Sequence, residues 1–391
     1  MDIERFSRSP IGRLQSVTVV DPVTEESYQH HAYIPEPLPS RVDLSAPTWS
    51  EVSEAAAALA RLDEAGSQLP NPFLLVRPTI RREAVSTSAL EGTYAELSDL
   101  LEAEVLDEVQ VPEQIAEVRG YIRAAELGLE LLEARPLSLR LVDELHAALM
   151  HGTRGDSWDS GQVRSRQNWI GPHQCKITES YFVPPPPGGI LGDGLREWEQ
   201  WIHRDLEMPL LVSVSLSHYQ FETLHPYIDG NGRIGRLIAI LQLIQGGALR
   251  HHLLTISPYF EVRRKEYTDH LRHLSETGDW DTWIRFFVTG IKVQAVKALE
   301  RVRELMEFRQ STRQKLTDVG LRGVVLRMAD DLIGYPVITV PMMAKNYEVT
   351  YPAANAAVSK LVEVDVLREA TGRRYARIFV ASEVLRIIED R

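Results

Sequence analysis

The chain has 391 residues, of which 44% are hydrophobic and 25% charged, an ordinary globular composition that can bury a large core. Its formal net charge of −12 argues against a protein that coats nucleic acid nonspecifically, and its single cysteine excludes an internal disulfide framework. The first ten residues lack an apolar signal segment, and the longest apolar run, residues 237–249, is too short to span a bilayer. We therefore expect a cytoplasmic protein without a membrane anchor.

The N-terminal region, residues 1–110, is rich in proline, acidic residues and alanine and is expected to wrap the core. A helical alanine stretch covers residues 53–62, and a second helix is predicted over about residues 79–92. Thr87 and Glu91 share a face of that helix because they are four residues apart, and Gly92 is a typical residue just past a helix end.

Glu91 is thereby predicted at a helix C-terminus, where the helix dipole disfavours a carboxylate by a few tenths of a kcal/mol up to about 1 kcal/mol. A cationic partner for Glu91 is therefore expected. Thr93 followed by Glu96 predicts a capping box that opens the next helix.

The central region, residues 111–310, is predicted to be helix after helix and to form the catalytic body. Its clearest helical patterns cover residues 112–133, 137–150 and 279–313. The fold class is thus mainly α. Residues 167–187 interrupt the helices with a predicted hairpin before a run of prolines.

Residues 225–236, with the sequence H-P-Y-I-D-G-N-G-R-I-G-R, hold the strongest functional signal. Apolar spacing predicts a helix that ends near His225, because Pro226 disfavours helical geometry in the residue before it. A second helix is predicted from about Asn231 to the glycines at 246 and 247. His225 is therefore expected at a helix end, facing a loop.

Residue types in this stretch suit the binding and transfer of part of a nucleotide. Gly230, Asn231 and Gly232 lie at a predicted helix N-terminus, where free N–H groups and the helix dipole favour a phosphate. Arg233 and Arg236 share a face and can clamp a triphosphate.

The other two functional groups of the stretch are an acid and a base. Asp229 can hold Mg²⁺ on phosphate oxygens, and His225 is left as a general base near neutral pH. Each residue alone is more typical of a turn, a salt bridge or a structural histidine, but the ordered set favours function.

The stretch resembles the Fic-domain motif H-x-F-x-D/E-G-N-G-R-x-x-R and departs from it only at Tyr227, where phenylalanine is usual. The resemblance implies transfer of AMP from ATP to a protein hydroxyl, with His225 as base and Asp229 as the Mg²⁺ ligand. It also implies phosphate binding by Gly230 to Gly232 and by the arginines; Gly235 is assigned to the same phosphate-binding stretch. The family's kinase-like branch carries lysine where this chain has Gly232, so phosphorylation is the less favoured chemistry.

Two further resemblances concern the surroundings of the motif. Residues 167–187 resemble the family's β-hairpin flap, which registers a target chain by strand addition, with Trp169, Ile170 and Gly171 as its first arm and residues 181–183 as its return. The segment around Tyr267 resembles the part that closes the adenosine side of the pocket, which makes Tyr267 the predicted stacking residue.

The segment Thr87 to Gly92 resembles the family's inhibitory motif S/T-x-x-x-E-G/N, in which the glutamate pairs with the second motif arginine and takes the place of the γ-phosphate. For this chain the resemblance implies an inhibitory helix with Thr87, Glu91 and Gly92 as its motif residues, in which Glu91 pairs with Arg236. The inhibitory helix and the active site then belong to the same chain.

Residues 317–391 resemble a winged helix-turn-helix, with helices predicted over 321–332, 340–347 and from Thr350 onward. Strands are predicted over 367–370 and 375–380, with a wing that carries Arg373, Arg374 and Arg377. Residues 321–391 contain ten Lys and Arg against nine Asp and Glu, so DNA binding is a weaker hypothesis than a protein contact.

The sequence thus predicts a Fic helical core with a flap and a C-terminal winged helix. It predicts an auto-inhibited adenylyltransferase that uses ATP and Mg²⁺ on a protein substrate docked on the flap. Self-modification and a homodimer are further hypotheses. Two alternatives remain open: the same site removing AMP from a modified protein, and a DNA-binding regulator that acts through the winged helix.

Overall fold

The computed structural model describes residues 1–20, 27–69, 71–106, 111–172, 175–371 and 377–390. Within these ranges the chain is mainly helical, as predicted, with two small antiparallel sheets. The helices are α1 Ile3–Phe6, α2 Ala46–Ser67, α3 Phe73–Leu90, α4 Leu97–Val105, α5 Glu113–Ala134, α6 Leu139–Met150, α7 Gly189–Ile202, α8 Leu210–Leu224, α9 Asn231–Gln245, α10 Ser257–Glu261, α11 Arg264–Thr277, α12 Trp280–Asp318, α13 Val324–Asp331, α14 Val340–Asn346, α15 Tyr351–Glu363 and α16 Ser382–Glu389. The strands are β1 Gly12–Val20, β2 Ser27–Pro35, β3 Val337–Thr339, β4 Arg368–Glu369 and β5 Ile378–Val380, and a 3₁₀ turn covers Ile177–Glu179.

The N-terminal hairpin of β1 and β2 was missed by the sequence analysis, which treated this region by composition alone. The strands pair antiparallel from Gly12 opposite Pro35 to Val20 opposite Ser27. Residues 17–20 of β1 read Val-Thr-Val-Val, and this β-branched run is typical of a strand. The N–H of Tyr33 donates to Val183 O at 2.8 Å, so the hairpin joins the end of the predicted flap.

The body predicted to be catalytic is built around α8 and α9, which pack against each other and are buried on nearly all sides. A helix that is apolar all round belongs in a core, and α5, α6 and α7 surround this pair while α2 packs along α12. The predicted helices over 112–133 and 137–150 are confirmed as α5 and α6, within two residues at each end. Among the described residues no helix combines the length and the apolar composition needed to cross a membrane.

Helix α3 begins at Phe73, earlier than predicted, and ends at Leu90 with Glu91 as its C-cap. Gly92 follows with a φ of +94°, which confirms its expected place just past the helix. The predicted capping box is wrong: α4 begins at Leu97, and the Thr93 hydroxyl donates to Glu117 Oε2 at 2.7 Å instead of capping that helix. Here a hydrogen bond to a carboxylate distant in sequence replaces the expected local cap.

In the C-terminal part, α13, α14 and α15 confirm the three predicted helices, and Thr350 caps α15 by accepting from the N–H of Ala353. Strands β4 and β5 lie within the predicted strand ranges, and β3 adds a strand that was not predicted, giving the order β3-β5-β4. Helix α12 continues to Asp318, so a helix fills the expected gap between residues 310 and 317. Gly372, Arg373 and Arg374 of the predicted wing lie outside the described residues.

Candidate active site

The loop between α8 and α9, residues 225–230, is the motif loop, and its ends lie where the sequence predicts. His225 ends α8 in the left-handed conformation, with φ +49°, and its N–H donates to Phe221 O at 3.0 Å. The side chain of Asn231 accepts from the N–H of Tyr227 and donates to Tyr227 O, both at 2.8 Å. The Asn231 side chain therefore stabilises the loop. Its main-chain N–H is the group left for the predicted contact with phosphate.

His225 has the hydrogen bonding of a base. Its Nδ1 lies 3.3 Å from Glu222 O, and because a carbonyl only accepts, Nδ1 carries the proton and Nε2 keeps its lone pair. Burial, followed by the nearby Arg164 guanidinium, lowers the pKa of His225 to about 4. The imidazole is therefore neutral at physiological pH and free to accept a proton.

The N-terminus of α9 leaves main-chain donors for an anion. Gly230 takes the left-handed conformation at φ +76°, and its N–H donates to Asp229 Oδ1 at 2.6 Å. Ile234 is the first residue whose N–H bonds back, to Gly230 O at 3.0 Å. The N–H groups of Asn231, Gly232 and Arg233 therefore have no intrahelical acceptor.

Gly235 has a different role from the one predicted. It lies beyond the first turn of α9, so its N–H falls within the helix hydrogen bonding and is not free for phosphate. A Cβ at this position would lie 2.3 Å from Glu222 Oε1 and 3.2 Å from Phe221 Cδ1. The absence of a side chain lets α8 approach α9, so Gly235 serves packing.

The two arginines of the motif are both buried and both bonded to carboxylates. Arg233 lies 3.4 Å from Glu117 Oε2 and 3.4 Å from Asp229 Oδ1. The Asp229 side chain is 60% exposed, which leaves the carboxylate accessible from the solvent side.

Arg236 is held by the segment predicted to be inhibitory. Its Nε donates to Thr87 Oγ1 at 2.8 Å, and its Nη2 donates to Thr87 O at 3.2 Å and to Glu91 Oε1 at 2.6 Å. Burial is the largest single influence and lowers the pKa of Arg236, but the charges of Glu91, Tyr267 and Glu222 and the hydrogen bond to Glu91 together outweigh it, so the pKa is raised. The expected cationic partner of Glu91 is thus Arg236.

The carboxylate of Glu91 also covers the N-terminus of α9. A Cβ built on Gly232 would lie 2.3 Å from Glu91 Oε1 and 2.9 Å from Arg236 Nη1. In this structure a side-chain carboxylate therefore occupies the anion-binding end that the sequence predicts for phosphate.

The predicted flap contains the expected antiparallel contact. Ile170 pairs with Phe182, with Ile170 N–H donating to Phe182 O at 2.8 Å and Tyr181 N–H donating to Ile170 O at 2.7 Å. Trp169 Nε1 donates to Cys175 O at 2.9 Å, and Gly171 lies close to Cys175, where a Cβ would come within 2.6 Å of its Sγ. The tip residues 173 and 174 lie outside the described residues, and docking of a target chain stays a prediction.

Tyr267 corrects the expectation for the adenosine side of the pocket. Its ring is 4% exposed and stacks on Phe260 at 4.7 Å, and its hydroxyl bonds to His218 Nε2 at 2.7 Å. A ring enclosed in this way has no face left for a nucleobase. The aromatic residue belongs to the core, where the packing of α10, α11 and α12 places it.

Several residues near the site were missed by the sequence analysis. His146 stacks on Tyr227 at 3.8 Å and donates from Nε2 to Asp229 O at 3.0 Å, since its Nδ1 accepts from the N–H of Gly161. The Tyr227 hydroxyl donates to Asp143 Oδ1 at 2.7 Å, which gives the departure from phenylalanine a partner. These partners lie more than 80 residues apart in sequence, so no local pattern marks them.

Glu222 and Arg164 are two further charged residues that were missed. Burial raises the pKa of Glu222 to about 7, and the charge of Arg236 opposes this rise. Arg164 is 2% exposed and bonds to the main chain of His225. Only the tertiary structure brings either charge to the site.

Comparison with known proteins finds similarity over the region that contains this site. Residues 49–130 match the N-terminal domain of the Fic/DOC family, and residues 136–243 match the Fic/DOC family domain itself, which contains the motif loop. The chain is 26% identical over 236 residues to the protein adenylyltransferase Fic of Drosophila willistoni, covering 59% of this chain and 43% of that protein. It is 27% identical over 206 residues to the protein of the same name from Drosophila ananassae, covering 51% of this chain and 38% of the relative. The chain thus spans less than half the length of these curated relatives.

Solved structures show the same fold. A Fic family protein from Desulfovibrio desulfuricans G20 superposes with a TM-score of 0.56 at 18% identity, covering 87% of this chain and 97% of that protein. Fic-1 of C. elegans superposes with a TM-score of 0.51 at 19% identity, covering 66% of this chain and 74% of the other. The mainly α body and its motif loop therefore have the Fic fold.

Proposed function

Because the chain contains both the N-terminal and the catalytic domain of the Fic/DOC family, we propose that it is an auto-inhibited protein adenylyltransferase. It would transfer AMP from ATP to a Ser, Thr or Tyr hydroxyl of a protein and release pyrophosphate. One observation carries the proposal: a neutral histidine base and two buried arginines flank the N-terminus of α9, whose first N–H groups have no intrahelical acceptor. The names of the relatives agree with this activity.

In the proposed reaction the target hydroxyl attacks the α-phosphorus of ATP while His225 Nε2 accepts its proton. The new bond joins the hydroxyl oxygen to phosphorus, and the bond from the α-phosphorus to the bridging oxygen breaks, so that pyrophosphate leaves with the electron pair. The N–H groups of Asn231, Gly232 and Arg233 and the two guanidiniums hold the phosphate charge in a fixed arrangement. Positioning and charge stabilisation are the main contributions a protein makes to phosphoryl chemistry.

The charge of ATP calls for Mg²⁺, and Asp229 is the residue that fits it. Mg²⁺ is commonly held by one or two carboxylates together with substrate phosphates and water, and the Asp229 carboxylate is exposed beside the anion-binding helix end. When bound, the ion would neutralise charge on the phosphates. His146 supports this residue by its hydrogen bond to Asp229 O.

Auto-inhibition rests on Glu91. Its carboxylate lies against Gly232 and bonds to Arg236, so it would compete with a phosphate of ATP for the same donors. Displacement of Glu91 would free both the helix end and the guanidinium. The resting chain would then have low activity until Glu91 moves.

One second function is favoured by the same contact. The Glu91 side chain is 39% exposed beside the helix end, where a carboxylate could orient water for the removal of AMP from a modified protein. Both reactions would use His225. Replacement of Glu91 separates them, because forward transfer should rise and removal of AMP should fall.

The test uses ATP labelled on the α-phosphate with Mg²⁺ and compares three proteins: the parent chain, Glu91→Gly, and Glu91→Gly with His225→Ala. Weak label in the parent, strong label in the release variant and none in the double variant would support the proposal. A cell lysate supplies targets, and the chain itself tests self-modification on the flap or elsewhere. Absence of label in all three proteins would contradict forward transfer and leave AMP removal as the activity to assay.

A further inference from the structure

Arg164 is a buried cation that the reaction described above does not use. Its side chain is 2% exposed, and no carboxylate among the described residues lies within salt-bridge distance of it. Burial lowers the pKa of Arg164 to about 10, so the guanidinium still carries its charge at neutral pH. A buried charge without a counter-ion is costly, and the fold retains it only with good hydrogen bonds.

The hydrogen bonds of Arg164 go to main-chain carbonyls of three separate places. Its Nε donates to His225 O at 2.9 Å, its Nη1 to Arg166 O at 3.3 Å and its Nη2 to Pro185 O at 2.5 Å. Arg166 immediately precedes the flap and Pro185 lies near its end, whereas His225 is the base. One planar guanidinium therefore ties both ends of the flap to the catalytic histidine.

Neighbouring bonds strengthen the same junction. The N–H of Arg164 donates to Pro226 O at 2.9 Å, and the Asn168 side chain donates to Tyr227 O at 3.0 Å. The Gln167 side chain donates to Pro184 O at 2.9 Å, which closes the two arms of the flap on each other. The base of the flap and the motif loop thus form one hydrogen-bonded unit.

The conformation of His225 indicates what this hydrogen-bonded unit does. A residue other than glycine rarely adopts φ +49°, so its surroundings must hold His225 in this conformation. The Arg164 bond to His225 O fixes the orientation of that peptide group. A flap that presents a target hydroxyl must also keep a constant distance from Nε2, and Arg164 bonds the flap to the main chain of the residue that carries Nε2.

We propose that Arg164 is a positioning residue for AMP transfer, which fixes the flap and His225 in one arrangement so that a docked hydroxyl meets the base. The proposal rests on the adenylyltransferase function proposed above. Arg164 does not touch the N-terminus of α9 in its hydrogen bonds, so it should act on the transfer step and not on nucleotide binding. The positive charge has a second effect, because it also contributes to the low pKa of His225.

The test introduces Arg164→Met and Arg164→Lys into the Glu91→Gly chain and measures transfer at saturating ATP together with the Kd for ATP. The methionine keeps an unbranched apolar stem and loses all donors, and the lysine keeps the charge but cannot reach three carbonyls with one ammonium. A misplacement of about 1 Å can reduce a rate by roughly 100-fold. We expect a loss of this order in both variants, with the Kd for ATP changed less than about threefold.

Arg166→Met is the matched control. Its side chain is 66% exposed and pairs with Asp159 at 3.3 Å, so its removal leaves the main-chain carbonyl of residue 166 in place. Transfer by this variant should stay within about twofold of the Glu91→Gly chain, in line with the small contribution of an exposed ion pair.

Three results would overturn the inference: unchanged transfer in Arg164→Met, full rescue by lysine, or equal losses of transfer and of ATP affinity. The last result would mean that Arg164 supports folding in general, and a lowered melting temperature of the lysine variant would identify that case. If the Glu91→Gly chain itself transfers no label, the proposed function fails instead, which is a distinguishable outcome.

Discussion

Replacement of Glu91 by glycine should make the protein less stable and make it bind ATP more tightly. Arg236 is 2% exposed and would lose the carboxylate that lies 2.6 Å from its Nη2. Removal of one partner of a buried ion pair costs about 3–5 kcal/mol, but Glu91 is 39% exposed and both bonds from Arg236 to Thr87 remain. We therefore expect a loss of about 1–2 kcal/mol in the free energy of unfolding.

The gain in ATP affinity follows from the same contact. In the parent chain a phosphate must displace Glu91 from Arg236, and in the variant this contact no longer opposes binding. If the contact is worth about 1.4 kcal/mol, the Kd for ATP should fall about tenfold. Urea denaturation without nucleotide measures the first effect, and calorimetric titration with Mg²⁺ and ATP measures the second.

The matched control is Glu102→Gln on α4, which removes one carboxylate charge that is not bonded to Arg236. It should change neither quantity by more than the scatter between surface variants, about 0.5 kcal/mol. A Glu91→Gly protein as stable as the parent, or one with the parental Kd for ATP, would refute the competition between Glu91 and phosphate.

Three further outcomes can be checked. Burial and then Arg164 lower the pKa of His225 to about 4. The kcat/KM of the release variant, Glu91→Gly, should therefore stay level from pH 7 to about 5 and fall only below that, as the base becomes protonated; a half-loss of kcat/KM near pH 6.5 would contradict a depressed pKa. Gly235→Ala would place a Cβ 2.3 Å from Glu222 Oε1 and should lower stability by about 1–3 kcal/mol in urea denaturation, whereas an unchanged midpoint would show that α8 and α9 can separate freely. Tyr227→Phe removes the hydroxyl that donates to Asp143 and should cost about 0.5–1.5 kcal/mol of stability with little effect on transfer, and a large loss of labelling would assign the hydroxyl a direct role.

The sequence predicted the core of the site because that core is local. His225 at the end of α8, the start of α9 at Asn231 and Gly92 past the end of α3 all follow from signals within a few residues. Helix periodicity, proline and glycine act through neighbouring peptide groups, and a short window of sequence therefore contains the information. The residue types of the motif and their order were enough to suggest the chemistry that we propose.

The pairing of Glu91 with Arg236 could be predicted only in part from the local sequence. The two residues are 145 positions apart, and only the resemblance to a known inhibitory motif connected them in the sequence. The expectation of a cationic partner came from the helix end alone. The packing of α3 against α9 decides which cation pairs with Glu91.

Tertiary structure alone decided which polar and aromatic groups are free to meet a ligand. Tyr267 is enclosed by Phe260 and His218, the side chain of Asn231 is taken up by Tyr227, and Gly235 makes room for a neighbouring helix. Arg164 reaches its carbonyl partner in His225 across 61 residues. Burial and hydrogen-bond partners depend on segments that meet only after folding. The sequence therefore identified the chemical groups of the motif, while the fold added distant groups to the site and determined which groups are free to meet a ligand.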